Sequence, residues 1–189
     1  MKVTARISLT PPSSALHQKI ERHFHRRLGT ALEPMRAMAH QQQVLATIVE
    51  LEKNVAGWNA VEQELKELAA MAAAFGIGCS WCIDYGYWVS VSHGIPENKV
   101  EAITAWRDSD LFTDLERRVL AYAEAMTETP PTVTDEMVFG LLQDLTEAQV
   151  VELTAIVAVE NQRARLNAAL GLTSQGFKER CEIPVTGDD

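Results

Sequence analysis

The chain has 189 residues, of which 47% are hydrophobic, enough to bury the core of a globular protein. Its net charge of -9 comes from 26 acidic and 17 basic residues and repels phosphate backbones and anionic membrane surfaces, so neither nucleic acid nor a membrane is an expected partner. No apolar run is long enough to span a bilayer, and the N-terminus lacks a basic-then-apolar signal pattern, so we expect a cytoplasmic protein.

Residues 1–32 are predicted to form an N-terminal arm followed by a helix. Pro11 and Pro12 exclude a continuous helix through the arm. Ser13 and Ser14 can then cap a helix that runs to about Gly29. This segment carries no pattern that points to a function.

Two further helices are predicted before the first cysteine. Pro34 suits a first helical position and begins a helix to about Val55, with His40 in its early part. The next helix is predicted from about Asn59 or Ala60 to Phe75; it begins charged and ends almost entirely in alanine and methionine. Because small side chains allow close helix contact, we expect this second half to be buried in the bundle or in an interface.

Two of the three cysteines lie three positions apart, as Cys79 and Cys82. Gly76 and Gly78 break the preceding helix, which places Cys79 near the N-terminus of the next helix and Cys82 in its first turn. Both sulfurs then share a face and can form a disulfide. The positive end of the helix dipole favours a thiolate, which is the reactive form of cysteine. The same helix carries an aromatic stripe of Tyr85, Tyr87 and Trp88, which can pack in the core or line an apolar pocket.

The rest of the chain also follows helical patterns. Helices are predicted from Pro96 to about Trp106, from a cap at Thr113 or Asp114 to Met126, from Thr134 for a short stretch, and from Thr146 to about Leu170. No stretch alternates as a strand does, so the predicted fold is an all-α bundle of about seven to eight helices. We expect its helical domain to cover residues 33–172, and residues 173–189 to form a C-terminal tail that is mobile or docks on a neighbour.

The cysteine pair is compatible with four kinds of site. Zinc needs four ligands, so Cys181 and a histidine would have to converge on the pair from afar. A thioredoxin-like oxidoreductase places the motif after a strand, and no strand is predicted. Two cysteines can also pack as small apolar groups without chemistry. A redox-active dithiol in a helical protein remains, and we predict this site with no metal and no cofactor.

The residues around the pair resemble a known family. Glu67, eleven intervening residues, the Cys79-Ser80-Trp81-Cys82 motif, the break at residues 94–96 and the helix over residues 115–123 occur in the order of the carboxymuconolactone decarboxylase superfamily, in its alkylhydroperoxidase AhpD-like branch. The resemblance covers roughly residues 33–172 and implies the same all-α bundle in a homo-oligomer.

The resemblance also implies a reaction. Cys82 would attack a peroxide and become a sulfenic acid, Cys79 would resolve it to a disulfide, and Glu67 would take part in the proton relay that deprotonates the thiols. A dithiol or thioredoxin-type reductant would restore the pair. The alternative is a helical oligomer of the same family that is non-catalytic or catalyses another reaction.

Two histidines of the family pattern are replaced in this chain. AhpD-like enzymes generally carry a histidine four residues after the second cysteine, where this chain has Gly86, and Trp81 stands where AhpD has another. The side chains that could complete a proton path or line a pocket are Asp84, Trp81, Tyr85 and, from another helix, His40.

Overall fold

Residues 5–180, the part of the chain that the computed structural model describes, form nine α-helices, two 3-10 helices and no strand, which confirms the all-α prediction. The α-helices are α1 (Ala15–Leu28), α2 (Glu33–Met38), α3 (Gln42–Val55), α4 (Gln63–Ile77), α5 (Ser80–Ser92), α6 (Glu97–Glu101), α7 (Asp114–Thr127), α8 (Asp135–Leu141) and α9 (Glu147–Ala169). The 3-10 helices cover Ala102–Asp108 and Lys178–Arg180. None of these helices has the length and hydrophobicity that crossing a bilayer requires.

The chain divides into two compact units. The first comprises α1, α2 and α3 together with residues 169–173. The second comprises residues 59–168 and 174–180 and contains both cysteines of the motif. The sequence-based domain boundaries at residues 33 and 173 stay predictions.

In the first unit, the helix predicted from Pro34 to Val55 is two helices. The chain leaves the helical path at Ala39, and Gln41 caps α3 by accepting a hydrogen bond from the backbone N–H of Gln43. The Gln42 side chain donates to the Ala39 carbonyl oxygen at 2.6 Å. These side-chain hydrogen bonds replace the helical ones, which propensity alone does not predict.

The core of the second unit forms where α4 packs against α5 and α7. Ala69, Ala72, Ala73 and Ala74 are at most 3% exposed and Ala70 is partly buried, so most of the alanine-rich half of α4 is buried in the bundle, as predicted. Ala69, Ala72 and Ala73 belong to one apolar core with larger side chains, among them Val119, Leu120, Leu153 and Val157. The small residues let α7 and α5 approach α4 closely, which fixes the position of the turn that carries the cysteines.

The beginning of α4 differs from the prediction. The helix starts at Gln63 because the Glu152 carboxylate accepts the backbone N–H groups of Ala60 and Val61, at 2.8 and 3.2 Å. Glu152 also pairs with the buried Lys66 at 3.7 Å. A carboxylate from α9 therefore holds the approach to α4 in a non-helical conformation.

An ion triad ties α6 to α4 and α7. Lys99 donates to Glu64 and Glu116, both at 2.6 Å, and Glu116 also accepts the backbone N–H of Thr113 in a capping box. Burial alone would raise the pKa of Glu116, but Lys99 and Thr113 hold it below its ordinary value. Burial would likewise lower the pKa of Lys99, and its two carboxylate partners hold it above its ordinary value. Lys99 and Glu116 are therefore both charged across the neutral pH range.

Candidate active site

The cysteine pair lies at the turn between α4 and α5. Gly78 ends α4 with a φ of 75° and donates its N–H to the carbonyl oxygens of Ala74 and Phe75. Glycine adopts this left-handed conformation without steric cost. Cys79 follows as the N-cap of α5, as the sequence predicts. The turn thus brings the first cysteine onto the positive end of a helix.

Cys79 and Cys82 are joined as a disulfide, with their Cα atoms 5.3 Å apart. The backbone N–H of Cys82 donates to Cys79 Sγ at 3.2 Å. Cys79 is 1% exposed and Cys82 is 7% exposed, so of the two sulfur-bearing residues Cys82 lies nearer the surface. The predicted proximity of the two sulfurs is therefore present, with a backbone donor on one of them.

Asn167 is a site residue that the sequence analysis missed. Its amide Nδ2 donates to Cys82 Sγ at 3.4 Å, and its side chain is 3% exposed. Asn167 lies near the end of α9, on the buried stripe that contains Val157 and Ala164. A spacing of three and four along this stripe places residue 167 inward, which is the signal that could have identified a polar residue facing the core.

Glu67 lies near the far end of the α4–α5 pair from the cysteines. Its carboxylate Oε1 accepts a hydrogen bond from Gln63 Nε2 at 2.6 Å and is 2.9 Å from His93 Nδ1. His93 is the C-cap of α5, eleven residues after Cys82, a separation of about 16 Å along a helix. The structure therefore brings Glu67 together with His93 and gives it no hydrogen bond to either cysteine.

Met71 occupies the space beside Gly86, where the family pattern has a histidine. A Cβ atom built on Gly86 would lie 2.6 Å from Met71 Sδ, inside van der Waals contact. Met71 is 1% exposed and packs in the core. Gly86 lies one helical turn after Cys82, on the side of α5 that faces α4. An apolar thioether thus fills the position from which a histidine would reach the thiol.

The close contact between Gly86 and Met71 predicts that Gly86→Ala has opposite effects on the free energy of unfolding when Met71 is present and when it is replaced. Gly86→Ala in the wild-type chain is expected to lower the free energy of unfolding by about 1 kcal/mol, because overpacking against Met71 outweighs the gain in helix propensity. In a Met71→Ala background, the same change should raise it by about 1 kcal/mol, since the added methyl group then enters free space. Chemical denaturation of the four proteins measures both effects, and the same sign in both backgrounds would contradict the packing argument.

A short C-terminal segment, residues 174–178, lies across α5 beside the cysteines; we call it the strap. Asp84 accepts the backbone N–H of Gln175 at Oδ2 and that of Lys178 at Oδ1, both at 2.8 Å. Trp81 Nε1 donates to Gln175 Oε1 at 2.7 Å. Part of the predicted tail therefore docks on its own chain, and Asp84 and Trp81 are the residues that hold it.

The strap also closes an aromatic cluster. Phe177 is fully buried, with ring centroids 6.3 Å from Trp81, 5.1 Å from Tyr85 and 6.1 Å from Trp88. Trp81 and Tyr85 stack on each other at 5.0 Å. Tyr85 and Trp88 of the predicted aromatic stripe thus pack around Phe177 together with Trp81, and Tyr87 packs in the core of the second unit.

The remaining predicted residues lie elsewhere or outside the described chain. His40 is exposed in the first unit, with Nε2 2.7 Å from the backbone carbonyl oxygen of Ser8. Cys181 lies outside the described residues. Within residues 5–180, no three side chains of His, Cys, Asp or Glu converge in a way that could hold a metal ion.

The sequence of this chain is similar to a known protein family and to a bacterial relative. A model of the carboxymuconolactone decarboxylase family matches residues 42–125. The Escherichia coli (strain K12) protein YnjA is 30% identical over 178 residues, which span 92% of this chain and 90% of YnjA.

Two solved structures share the fold at lower identity. The debrominase Bmp8, as a cysteine-to-alanine variant in complex with 2,3,4-tribromopyrrole, has a TM-score of 0.81 and 21% identity over 95% of this chain and 98% of its own. A peroxidase-related protein from Ralstonia eutropha JMP134, described as an alkylhydroperoxidase AhpD core, has a TM-score of 0.81 and 12% identity over 96% and 97%.

Proposed function

Because the chain belongs to the carboxymuconolactone decarboxylase family, we propose that it is a member of the AhpD-like branch and reduces hydroperoxides through Cys79 and Cys82. One observation carries the proposal: the two sulfurs are bonded to each other at the beginning of α5, and each accepts a hydrogen bond from an N–H donor. Such donors stabilise a thiolate when the pair is reduced. The pair can therefore alternate between a reactive dithiol and a disulfide.

The proposed cycle consumes one hydroperoxide for each disulfide formed. The Cys82 thiolate attacks the terminal peroxide oxygen, the O–O bond breaks, and the alkoxide leaves and takes up a proton to become an alcohol. Cys79 then attacks the sulfur of the sulfenic acid, the S–S bond forms, and hydroxide leaves and is protonated to water. The two protons come from the two thiols. An external dithiol or thioredoxin-type reductant returns two electrons by thiol–disulfide exchange.

We propose that this protein works in the cytoplasm, because a dithiol that must be re-reduced suits a reducing compartment. We also propose a homo-oligomer, and two large apolar side chains in the second unit are available for contact with another copy: Phe139 is 63% exposed and Val151 is 68% exposed. Glu67 stays a predicted relay member, and in the structure its carboxylate is hydrogen-bonded to Gln63 and His93.

A turnover assay with thiol counting tests the proposal. Organic hydroperoxides and hydrogen peroxide are supplied with dithiothreitol, and the wild type is compared with a Cys79→Ser, Cys82→Ser double variant of unchanged helical content and oligomer size. The wild type should turn over peroxide and lose two thiols for each peroxide consumed in the absence of reductant. A wild-type rate equal to that of the double variant would remove peroxide reduction as the function.

The aromatic cluster favours a second candidate, reductive dehalogenation of a small aromatic ring. On release of the strap, an aromatic substrate would take the place of Phe177 between the rings of Trp81, Tyr85 and Trp88, beside Cys82. A dithiol supplies the two electrons and two protons that convert a carbon–bromine bond to a carbon–hydrogen bond, with the disulfide and hydrogen bromide as products. Release of bromide from a brominated pyrrole, without turnover of hydroperoxides, would favour this reaction over the first.

A further inference from the structure

Cys82 accepts a hydrogen bond from one side chain among the described residues, the amide of Asn167 on α9. The two side chains are 7% and 3% exposed, so water contributes little to the stability of a charge on Cys82 Sγ. In such surroundings a hydrogen bond to the charged form of a group is worth more than in water. The amide is therefore a main source of stabilisation for a Cys82 thiolate.

Ionisable groups on the elements around Cys82 are engaged elsewhere. On α5, Asp84 binds the strap, and on α4, Glu67 pairs with His93. On α9, Glu160 pairs with Arg163. On α6, Glu101 pairs with Lys178 of the strap, and Lys99 pairs with Glu64 and Glu116. None of these groups is hydrogen-bonded to Cys82 in the part of the chain that the structure describes. Within residues 5–180, no general base is therefore hydrogen-bonded to the thiol, and the position from which a histidine would reach it is filled by Met71.

We propose that Asn167 is a catalytic residue that holds Cys82 as a preformed thiolate. A carboxamide cannot take up the thiol proton at neutral pH, so it acts by charge stabilisation and not by proton transfer. The proton leaves Cys82 before the substrate arrives, and the rate then follows one ionisation, that of Cys82. The reaction that this thiolate performs rests on the proposed function, whereas its ionisation does not.

The ionisation of Cys82 can be measured without any substrate. In a Cys79→Ser, Cys181→Ser background, Cys82 is the single thiol, and its rate of alkylation by iodoacetamide is followed against pH. Asn167→Leu removes the donor and keeps a similar volume. It should move the midpoint of the alkylation curve upward by about one pH unit, which lowers the rate about tenfold on the acidic side of both midpoints.

A second variant and a matched control keep the test decisive. Asn167→Asp is nearly isosteric and should move the midpoint further upward than Asn167→Leu, because it replaces the donor with a negative charge. Asn161→Leu, on the same helix, removes an amide that donates to Thr127 Oγ1 and the Val157 carbonyl oxygen, and it should leave the midpoint unchanged. Folded Asn167 variants with the parent midpoint would overturn the proposal, and so would an equal shift in the Asn161 control.

Turnover separates this inference from the proposed function. If the wild type reduces hydroperoxides, its pH–rate profile should rise with one ionisation, and Asn167→Leu should shift that ionisation by the same amount as the alkylation midpoint. A shifted midpoint without peroxide turnover would support the role of Asn167 in ionisation and contradict peroxide reduction. Peroxide turnover with an unshifted alkylation midpoint would support peroxide reduction and contradict the role of Asn167 in ionisation.

Discussion

Cys82→Ser is expected to reduce peroxide turnover by more than about a thousandfold, because a serine hydroxyl is not ionised at neutral pH and cannot form a sulfenic acid. Cys79→Ser should behave differently. Without the resolving thiol, Cys82 should consume one equivalent of peroxide and then stop as a sulfenic acid, which dimedone traps as a covalent adduct. Mass spectrometry of the two single variants after peroxide treatment measures both outcomes.

The opposite assignment of the two thiols has its own support and a distinct result. The backbone N–H of Cys82 donates to Cys79 Sγ at the beginning of α5, which favours a thiolate on Cys79. Cys82 has the greater exposure and the Asn167 donor, and we give these more weight because the attacking sulfur must meet the substrate. A dimedone adduct on Cys79 in the Cys82→Ser variant, with none on Cys82 in the Cys79→Ser variant, would reverse the assignment.

Asp84→Ala is expected to release the strap and lower the free energy of unfolding by about 2–3 kcal/mol. The carboxylate holds two backbone N–H groups of the strap, and hydrogen bonds to a charged group are among the stronger ones in proteins. Residues 174–178 should then lose protection in hydrogen–deuterium exchange, and Cys82 of the reduced protein should alkylate faster. Chemical denaturation, exchange and alkylation measure the three effects on one variant.

The control for this prediction is an acidic residue without such contacts. Asp110 is exposed in the second unit, and Asp110→Ala should leave stability, exchange of the strap and alkylation of Cys82 close to the wild type. If the Asp84 variant kept the exchange protection of residues 174–178, the ring contacts of Phe177 would be sufficient to dock the strap, and the proposed role of Asp84 in holding it would be wrong.

Local patterns predict much of the fold and the first part of the site. Caps at Ser14, Thr113 and Thr134 identify the beginnings of three helices, because a cap is a contact between residues two or three positions apart. Cys79 as an N-cap and Cys82 in the first turn follow from the same kind of argument. The beginning of α4 does not, since it depends on a carboxylate about ninety residues away in sequence.

The rest of the site depends on contacts between distant segments. Asn167 reaches Cys82 only because α9 packs beside the turn, and Asp84 binds a strap that follows it by some ninety residues. Gly86 in place of a histidine is visible in the sequence, but its reason, the Met71 side chain, is on another helix. Glu67 is likewise close to the cysteine motif in the sequence. Because α4 and α5 run antiparallel, however, its contact in the structure is with His93 at the end of α5.

Because the strap docks beside the disulfide, its docking equilibrium is linked to the oxidation–reduction equilibrium of the cysteine pair. The strap touches Trp81 and Asp84, which lie within two residues of Cys82. Thermodynamic reciprocity requires that any preference of the strap for the oxidised or the reduced protein appear as an equal change in the reduction potential of the pair. For a two-electron couple, each 1.4 kcal/mol of preference is about 30 mV. The strength with which Phe177 is held thus becomes one of the quantities that set which reductants can serve this protein.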